Sequence, residues 1–336
     1  MLKFRQLAEH KAGLLLYTIL ILLAGTGIGF WLRDFMESIP EAPQDHFEIR
    51  ASGYNYINPL LDCELTQGSN ENKELEPFEK GVEKIIENRL ASGLITNTSV
   101  YFRDLNNGPW FSIRPTENFS PASLLKVPLM MGILKKAEST PELLSKTLWF
   151  AGGTDYNTLQ EIYPENSLRP GTAYTIEALL NNMIVYSDNN AAALLEDFFS
   201  AEVMGDVYKV AGLKAPSGRN DSQISVEAYS RFFRILFNAS YLNKTMSEKA
   251  LGYIARVELH DGLLSSIPGN ITVAHKFGEE VHDQGIKQLH ECGIVYYPGH
   301  PYLLCVMTEG KNFVEMDDTV LQVSQFVYSA VNQQLK

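Results

Sequence analysis

Three short stretches of this chain carry side chains that could do chemistry together. The first is Phe119-Ser-Pro-Ala-Ser-Leu-Leu-Lys-Val-Pro-Leu-Met130. Ser123 and Lys126 stand three residues apart in it, nearly one turn of a helix, so a helix starting here puts both on one face. A hydroxyl beside an amine at a helix N-terminus makes a nucleophile and a base. The helix end adds N–H groups and a positive dipole that favour developing negative charge. The same spacing also describes an ordinary helix start with a solvated lysine, so the pair needs support from elsewhere. The second stretch is Ser187-Asp188-Asn189, set between two helical patterns. Alone it reads as a cap, because all three residue types favour N-cap and turn positions. The third is His275-Lys276-Phe277-Gly278 on a strand pattern. A lysine followed two residues on by glycine lets a substrate backbone come close to a cation.

Hydrophobic spacing supplies the elements that must hold these residues. Residues 75–90 repeat as a helix, with Phe78, Val82, Ile85, Ile86 and Leu90 on one face. Residues 99–104 alternate as a strand, Asn106-Asn107-Gly108 turns the chain, and 109–113 returns as a second strand. From 127 to about 265 the pattern is helical, over 127–136, 175–185, 191–199, 226–237 and 247–257, with Thr175 as a cap. From Ile271 the period is two: strands over 272–277, 292–297 and 302–307, the last two joined at Pro298-Gly299-His300-Pro301. An amphipathic helix over 317–334 closes the chain. Strands at both ends of the folded part and helices between predict an α/β (α+β) fold. It has an antiparallel sheet flanked by helices, with an all-helical lobe inserted.

The chain has 336 residues, 45% hydrophobic, enough for one large domain or two smaller ones. Its net charge of -12 and lack of a basic block exclude a nucleic-acid partner. Residues 12–32 carry no charge, a run long enough to cross a hydrocarbon core as a transmembrane helix. Lys3, Arg5 and Lys11 precede the run, while Asp34, Glu37, Glu41, Asp45 and Glu48 follow it. The expected arrangement is single-pass, with a cytoplasmic N-terminus and an extracytoplasmic body. A cleaved signal peptide is the alternative, but the run is long for one and Gly29-Phe-Trp-Leu-Arg33 offers no obvious small-residue cleavage site. The expected domains are 1–33, a cytoplasmic tip and membrane anchor; 34–73, a tether; and 74–336, the catalytic domain. Within the last, 74–122 and 266–336 form the α/β part and 123–265 the mainly helical lobe. Ile57-Asn-Pro-Leu-Leu-Asp-Cys63 is the tether's one apolar knot, able to pack on the domain.

Ser123-x-x-Lys126, Ser187-Asp-Asn189 and Lys276-Phe-Gly278, in that order, resemble the motifs of the serine β-lactamases and penicillin-binding proteins, most closely the class A β-lactamases. The resemblance covers roughly 74–334. It implies that Ser123 attacks a carbonyl to form an acyl-enzyme and that Lys126 takes its proton. Ser187 relays a proton to the leaving nitrogen. Lys276 holds Ser187 and attracts a substrate carboxylate, Asn189 binds the substrate's amide side chain, and the N–H groups of Ser123 and Glu279 form the oxyanion hole. The implied partner is a β-lactam or a cell-wall peptide, and no cofactor is implied.

Two departures stand out. Class A enzymes carry a Glu-x-x-Leu-Asn segment between the second and third motifs, whose glutamate activates the deacylating water. None occurs over 191–273, where Glu202, Asp221 and Glu227 read as caps or solvated charges. The third motif normally reads Lys-Thr-Gly or Lys-Ser-Gly, so Phe277 either reshapes the substrate site or points inward. His275 alternates to the opposite strand face from Lys276, where core packing suits it. No histidine pair has a familiar metal-ligand spacing. A turn centred on Pro298-Gly299 would oppose Cys292 and Cys305, as a cross-strand disulfide or as two buried thiols.

Overall fold

The computed structural model describes residues 26–27, 48–63, 75–106, 108–200, 202–216, 222–259, 261–282 and 285–334. The uncharged run at 12–32 lies outside them apart from Thr26 and Gly27. Among the described residues no helix is long and apolar enough to cross a membrane. Residues 48–336 form one compact unit. It opens with a short antiparallel pair, β1 (Glu48–Arg50) and β2 (Leu60–Cys63). Between them Ile57 is buried in the helical lobe's core, and the N–H groups of Asn55, Tyr56 and Ile57 all donate to the Glu248 carboxylate.

Helix α1 (Glu76–Ala91) buries Phe78, Val82 and Ile86, the face its spacing predicts. Strands β3 (Asn97–Asp104) and β4 (Trp110–Ile113) form the expected hairpin. A 3-10 turn (Ala122–Leu125) then runs into α2 (Lys126–Ser139). The lobe continues with β5 (Thr147–Phe150), β6 (Thr172–Thr175), α3 (Ile176–Val185), α4 (Asn189–Phe198) and α5 (Glu202–Val210). Helices α6 (Val226–Phe237) and α7 (Lys244–Ile254) complete it. The chain returns through β7 (Val273–Val281), β8 (Lys287–Val295) and β9 (Tyr302–Gly310), and ends on α8 (Phe313–Gln334).

Strands β3, β4, β7, β8 and β9 make one antiparallel sheet in the order β4-β3-β9-β8-β7, so both ends of the folded unit do build it. Alternation along β3 sorts its side chains as read: Val100 and Phe102 enter one core, Tyr101 the other. One core lies between the sheet and α1 with α8, where Val82 and Ile86 share a cluster with Val320, Val323 and Val327. The other joins the opposite sheet face to the lobe and surrounds α2, whose Val127, Met130, Met131, Ile133 and Leu134 are all buried. Each such side chain contributes roughly 1.5–3 kcal/mol by leaving water. That holds α2, and the serine turn at its head, rigidly against the sheet.

Four features differ from the sequence expectation. The lobe is not purely helical, because β5 and β6 pair antiparallel. Helix α5 forms between the helical patterns at 191–199 and 226–237; Val203 and Val207 anchor it, and α2 comes so close that a Cβ at Gly132 would lie 2.2 Å from Val203 O. Strand β7 runs on through Gly278 to Val281. Helix α8 starts at Phe313, four residues early, with the Asn312 side chain accepting Val314 N at 3.0 Å. Cys292 and Cys305 face each other in register on β8 and β9 and are disulfide-bonded.

Candidate active site

The turn that carries Ser123 is fixed from below. Phe119 pairs through its backbone with Ile224, and its ring meets His290 edge-on at 5.4 Å. Ser120 N donates to Gln288 Oε1 at 3.0 Å, and Ser120 Oγ donates to Glu280. His290 Nε2 lies 2.9 Å from Ser120 O, while Nδ1 accepts Thr308 N at 3.3 Å; those partners assign the proton to Nε2. Burial pushes the His290 imidazole down to about 4, so it is a neutral strut near pH 7. Tyr229 donates its hydroxyl to Leu124 O at 3.0 Å. Ala122, directly before Ser123, has φ 48°, and Ser187 has φ 57°. Left-handed backbone at a non-glycine residue costs on the order of 1–3 kcal/mol and persists only where its surroundings impose it. Here it heads both serine motifs.

Lys126 sits at the first position of α2, buried, and reaches across to the second motif. Its Nζ donates to Ser187 O at 2.6 Å, Ser187 Oγ at 3.1 Å and Asn189 Oδ1 at 2.7 Å. Lys276 comes from β7 and donates to the same Ser187 Oγ at 3.0 Å and to Phe277 O at 2.9 Å. Two ammonium groups thus converge on one hydroxyl. Burial, then the Lys126 charge, holds the Lys276 ammonium well below the usual lysine range, opposed by Glu291 and Glu279. The structure therefore brings Ser123, Lys126, Ser187, Asn189 and Lys276 to one place, as the three motifs predict.

Asp188 and Asn190 do the capping. Asp188 Oδ1 accepts Asn190 N at 2.9 Å as the N-cap of α4. Its Oδ2 accepts Leu168 N at 2.9 Å, and Asn190 Oδ1 accepts Tyr156 N at 2.8 Å. These bonds tie down a strap, residues 151–171, between β5 and β6. Asn157 is its fully buried pivot: Nδ2 donates to Asp188 Oδ1 and Ser167 Oγ, and Oδ1 accepts Asn189 N at 2.7 Å. Asn189 Nδ2 in turn donates to Tyr156 O and Gln160 Oε1. The strap's far side reaches β7 and β8: Ile162 N donates to Glu279 Oε1 at 2.5 Å, and Lys287 pairs with Glu161 at 2.7 Å. Sequence reasoning passed over Asn157 and the strap. Apart from flanking Gly152-Gly153 and Pro170-Gly171, nothing in that polar segment signals such contacts.

The third motif behaves differently from its expectation. Phe277 does not line the substrate cavity. It is 3% exposed, and its ring centroid lies 4.0 Å from Lys276 Nζ. Its ring joins the lobe-side core although β7 pairs with β8 in unbroken register through this residue. Gly278 serves the nucleophile turn instead of a substrate backbone. A Cβ there would meet Pro121 O at 2.9 Å and Leu124 N at 3.0 Å. His275 is buried on the other face, 3.4 Å from the Glu291 carboxylate.

Ser123, Lys126 and Asn189 line a cavity of about 340 Å³, with Glu196, Glu279 and Glu280 also in its wall. A larger one, about 820 Å³, lies beside His275 and holds none of the motif serines or lysines. Glu196 follows Asn189 and Ala192 on one stripe of α4. Burial raises the Glu279 carboxyl above the usual range, and its Oε2 is buried with no hydrogen-bond partner among the described residues. Of these three carboxylates Glu196 falls within 191–273, but without the Glu-x-x-Leu-Asn pattern, and Glu279 and Glu280 lie beyond that segment. Of the carboxylates noted there, Glu202 and Glu227 lie in the first turns of α5 and α6, and Asp221 is outside the described residues. The arrangement can activate a serine hydroxyl and hand its proton through a second hydroxyl.

Residues 80–331 match the profile of the Beta-lactamase enzyme family. Solved structures with the same fold include a beta-lactamase from Chitinophaga pinensis, 19% identical with a TM-score of 0.65, covering 76% of this chain and 100% of that one. A beta-lactamase from Sphaerobacter thermophilus is 17% identical with a TM-score of 0.64, covering 76% and 97%. PBP-A is 20% identical with a TM-score of 0.61, covering 77% and 97%. No curated protein sequence matches the chain.

Proposed function

The chain belongs to the beta-lactamase enzyme family, and on that premise we propose that it is a serine hydrolase of the β-lactamase and penicillin-binding type, acylated at Ser123. The observation that carries this reading is the double approach of Lys126 and Lys276 to Ser187 Oγ, at 3.1 and 3.0 Å, beside the cavity that Ser123 lines. Lys126, acting as the neutral amine, takes the Ser123 proton as the hydroxyl attacks the carbonyl and passes a proton on to Ser187 Oγ, 3.1 Å away. The bond between Ser123 Oγ and the carbonyl carbon forms, the ring C–N bond breaks, and Ser187 delivers the proton to the leaving nitrogen. The Ser123 and Glu279 N–H groups serve as oxyanion donors, each typically worth about 3 kcal/mol. Asn189 holds Lys126 at 2.7 Å from the cavity wall, with its Nδ2 donating to Tyr156 O and Gln160 Oε1.

Deacylation is the slow half. With no Glu-x-x-Leu-Asn segment, the acyl group leaves only as fast as another carboxylate can activate water. That favours a second reading, a penicillin-binding peptidase or a sensor that stays acylated. The uncharged run at 12–32 supports membrane attachment with the site outside the cell; carbonate extraction of membranes tests it, and release of the full chain into the wash would count against it. For the chemistry, a chromogenic cephalosporin is followed by absorbance and intact mass. Steady colour supports hydrolysis and one stable adduct on Ser123 supports the second reading. An adduct that survives Ser123→Ala would sink both.

A further inference from the structure

Both cations of the site are fully occupied. An ammonium has three donor positions. Lys126 Nζ spends its three on Ser187 O, Ser187 Oγ and Asn189 Oδ1. Lys276 Nζ gives two to Ser187 Oγ and Phe277 O, and the Phe277 ring lies over it. Lys276 has no exposed surface, and neither it nor Phe277 lines the cavity. A cation–π contact partly satisfies that charge and leaves nothing for a ligand anion. The other charged groups in the wall are acidic: Glu196, Glu279 and Glu280. Glu280 accepts Ser120 Oγ and lies 3.7 Å from His282 Nε2. Glu279 is more than nine-tenths buried; Oε1 takes Ile162 N, and Oε2 has no hydrogen-bond partner among the described residues. A buried carboxylate oxygen without a donor is unfavourable, and a ligand N–H⁺ relieves it.

We infer that this cavity selects acyl donors that lack a free carboxylate beside the scissile bond and prefers those carrying a protonated amine, with Phe277 and Glu279 as the residues that set the preference. The inference rests on the reading of Ser123 as nucleophile and deepens it. The covalent step is the same for every such donor. Ser123 Oγ bonds to the carbonyl carbon, the C–N bond breaks, and the hydroxyl proton ends on the leaving nitrogen. Charge acts on encounter and positioning, where mismatched signs are selected against.

The test uses the full chain and time-resolved intact mass with three penicillin probes. They are benzylpenicillin, its methyl ester and its 2-aminoethyl amide; a neutral fluorophosphonate reports Ser123 itself. The acylation rates are expected to fall from amine to ester to free acid, with about tenfold or more between the extremes. Phe277→Thr takes the ring off Lys276 and puts a hydroxyl next to it, and is expected to raise the free-acid to ester ratio at least several-fold. Glu279→Gln is expected to shrink the amine preference. Labelling by the fluorophosphonate with equal rates, with a free-acid preference, or with no penicillin adduct on Ser123 overturns the inference alone. Failure of the fluorophosphonate to label Ser123 overturns the nucleophile reading and this inference with it. The parental rate order stands as a test even if a variant misfolds.

Discussion

Replacing Gly278 with alanine probes how tightly the nucleophile turn is held. The residue's φ is outside the left-handed region, so alanine is tolerated by the backbone and only space decides. Its Cβ would stand 2.9 Å from Pro121 O, 3.0 Å from Leu124 N and 3.1 Å from Leu124 Cγ. The first is about 0.5 Å inside ordinary van der Waals contact. Two of the three atoms are backbone, on either side of Ser123, and the turn is braced by Gln288, Glu280, His290 and Tyr229. It cannot swing aside as a flexible side chain would. Overpacking of this kind costs about 1–3 kcal/mol. A displacement of about 1 Å at a reacting atom costs on the order of 100-fold in rate, so half of that costs roughly tenfold. Thermal unfolding and fluorophosphonate labelling of Ser123 measure the two effects separately. An alanine variant with parental melting temperature and parental labelling rate would show that the turn is not held by β7, and the positioning argument would fail.

The remaining predictions use the polar framework. Burial lowers the His290 pKa to about 4, so the unfolded chain binds its proton first as pH falls from 6.5. The stability this confers is present above pH 6.5 and is lost towards pH 4, by about 3 kcal/mol. Urea unfolding of the parent and His290→Asn should therefore converge in acid, and parallel curves would refute it. Asp317 has the opposite sign: burial and Glu291 raise its carboxyl to about 6, so its folded-state advantage disappears as pH rises through that value. Asp317→Asn should stabilise at pH 7.5 relative to pH 4.5, by less than about 1 kcal/mol because the side chain is half exposed; a larger gain at pH 4.5 would contradict this. Asn157→Ala removes bonds to Asp188, Ser167 and Asn189 N. It should cost about 3 kcal/mol and slow Ser123 acylation. Unchanged acylation at reduced stability would separate the strap from the site.

What the sequence made legible followed from short-range rules. Ser123 and Lys126 are one turn apart, Thr175 and Asp188 cap the helices they precede, and Val100 alternates with Tyr101 along a strand. These patterns depend on a few neighbouring residues and survive folding intact. Asn157 was illegible because its three bonds go to residues 10 to 32 positions away and need no periodicity. For Phe277 the sequence leaves two readings, reshaping the site or pointing inward, and the buried ring fits the inward one; what decides it is contact with distant core residues. Gly278 looked like room for a ligand. The room is taken by Leu124, more than a hundred residues earlier, which no local pattern announces.

The strand order also has a timetable. Strands β3 and β4 are synthesised first, yet the partner of β3 is β9, in register from Asn97↔Glu309 to Asp104↔Tyr302. That pairing closes a loop of about two hundred residues and belongs to the slow class of contacts. Strands β7, β8 and β9 can pair with one another beforehand, but until β9 meets β3 they are not joined to the hairpin that leads into the serine turn, and neither Gly278 nor Lys276 is held at the site. An unfinished chain therefore displays Ser123 as an ordinary hydroxyl. On the reading of Ser123 as nucleophile, its labelling is therefore a readout of completed folding.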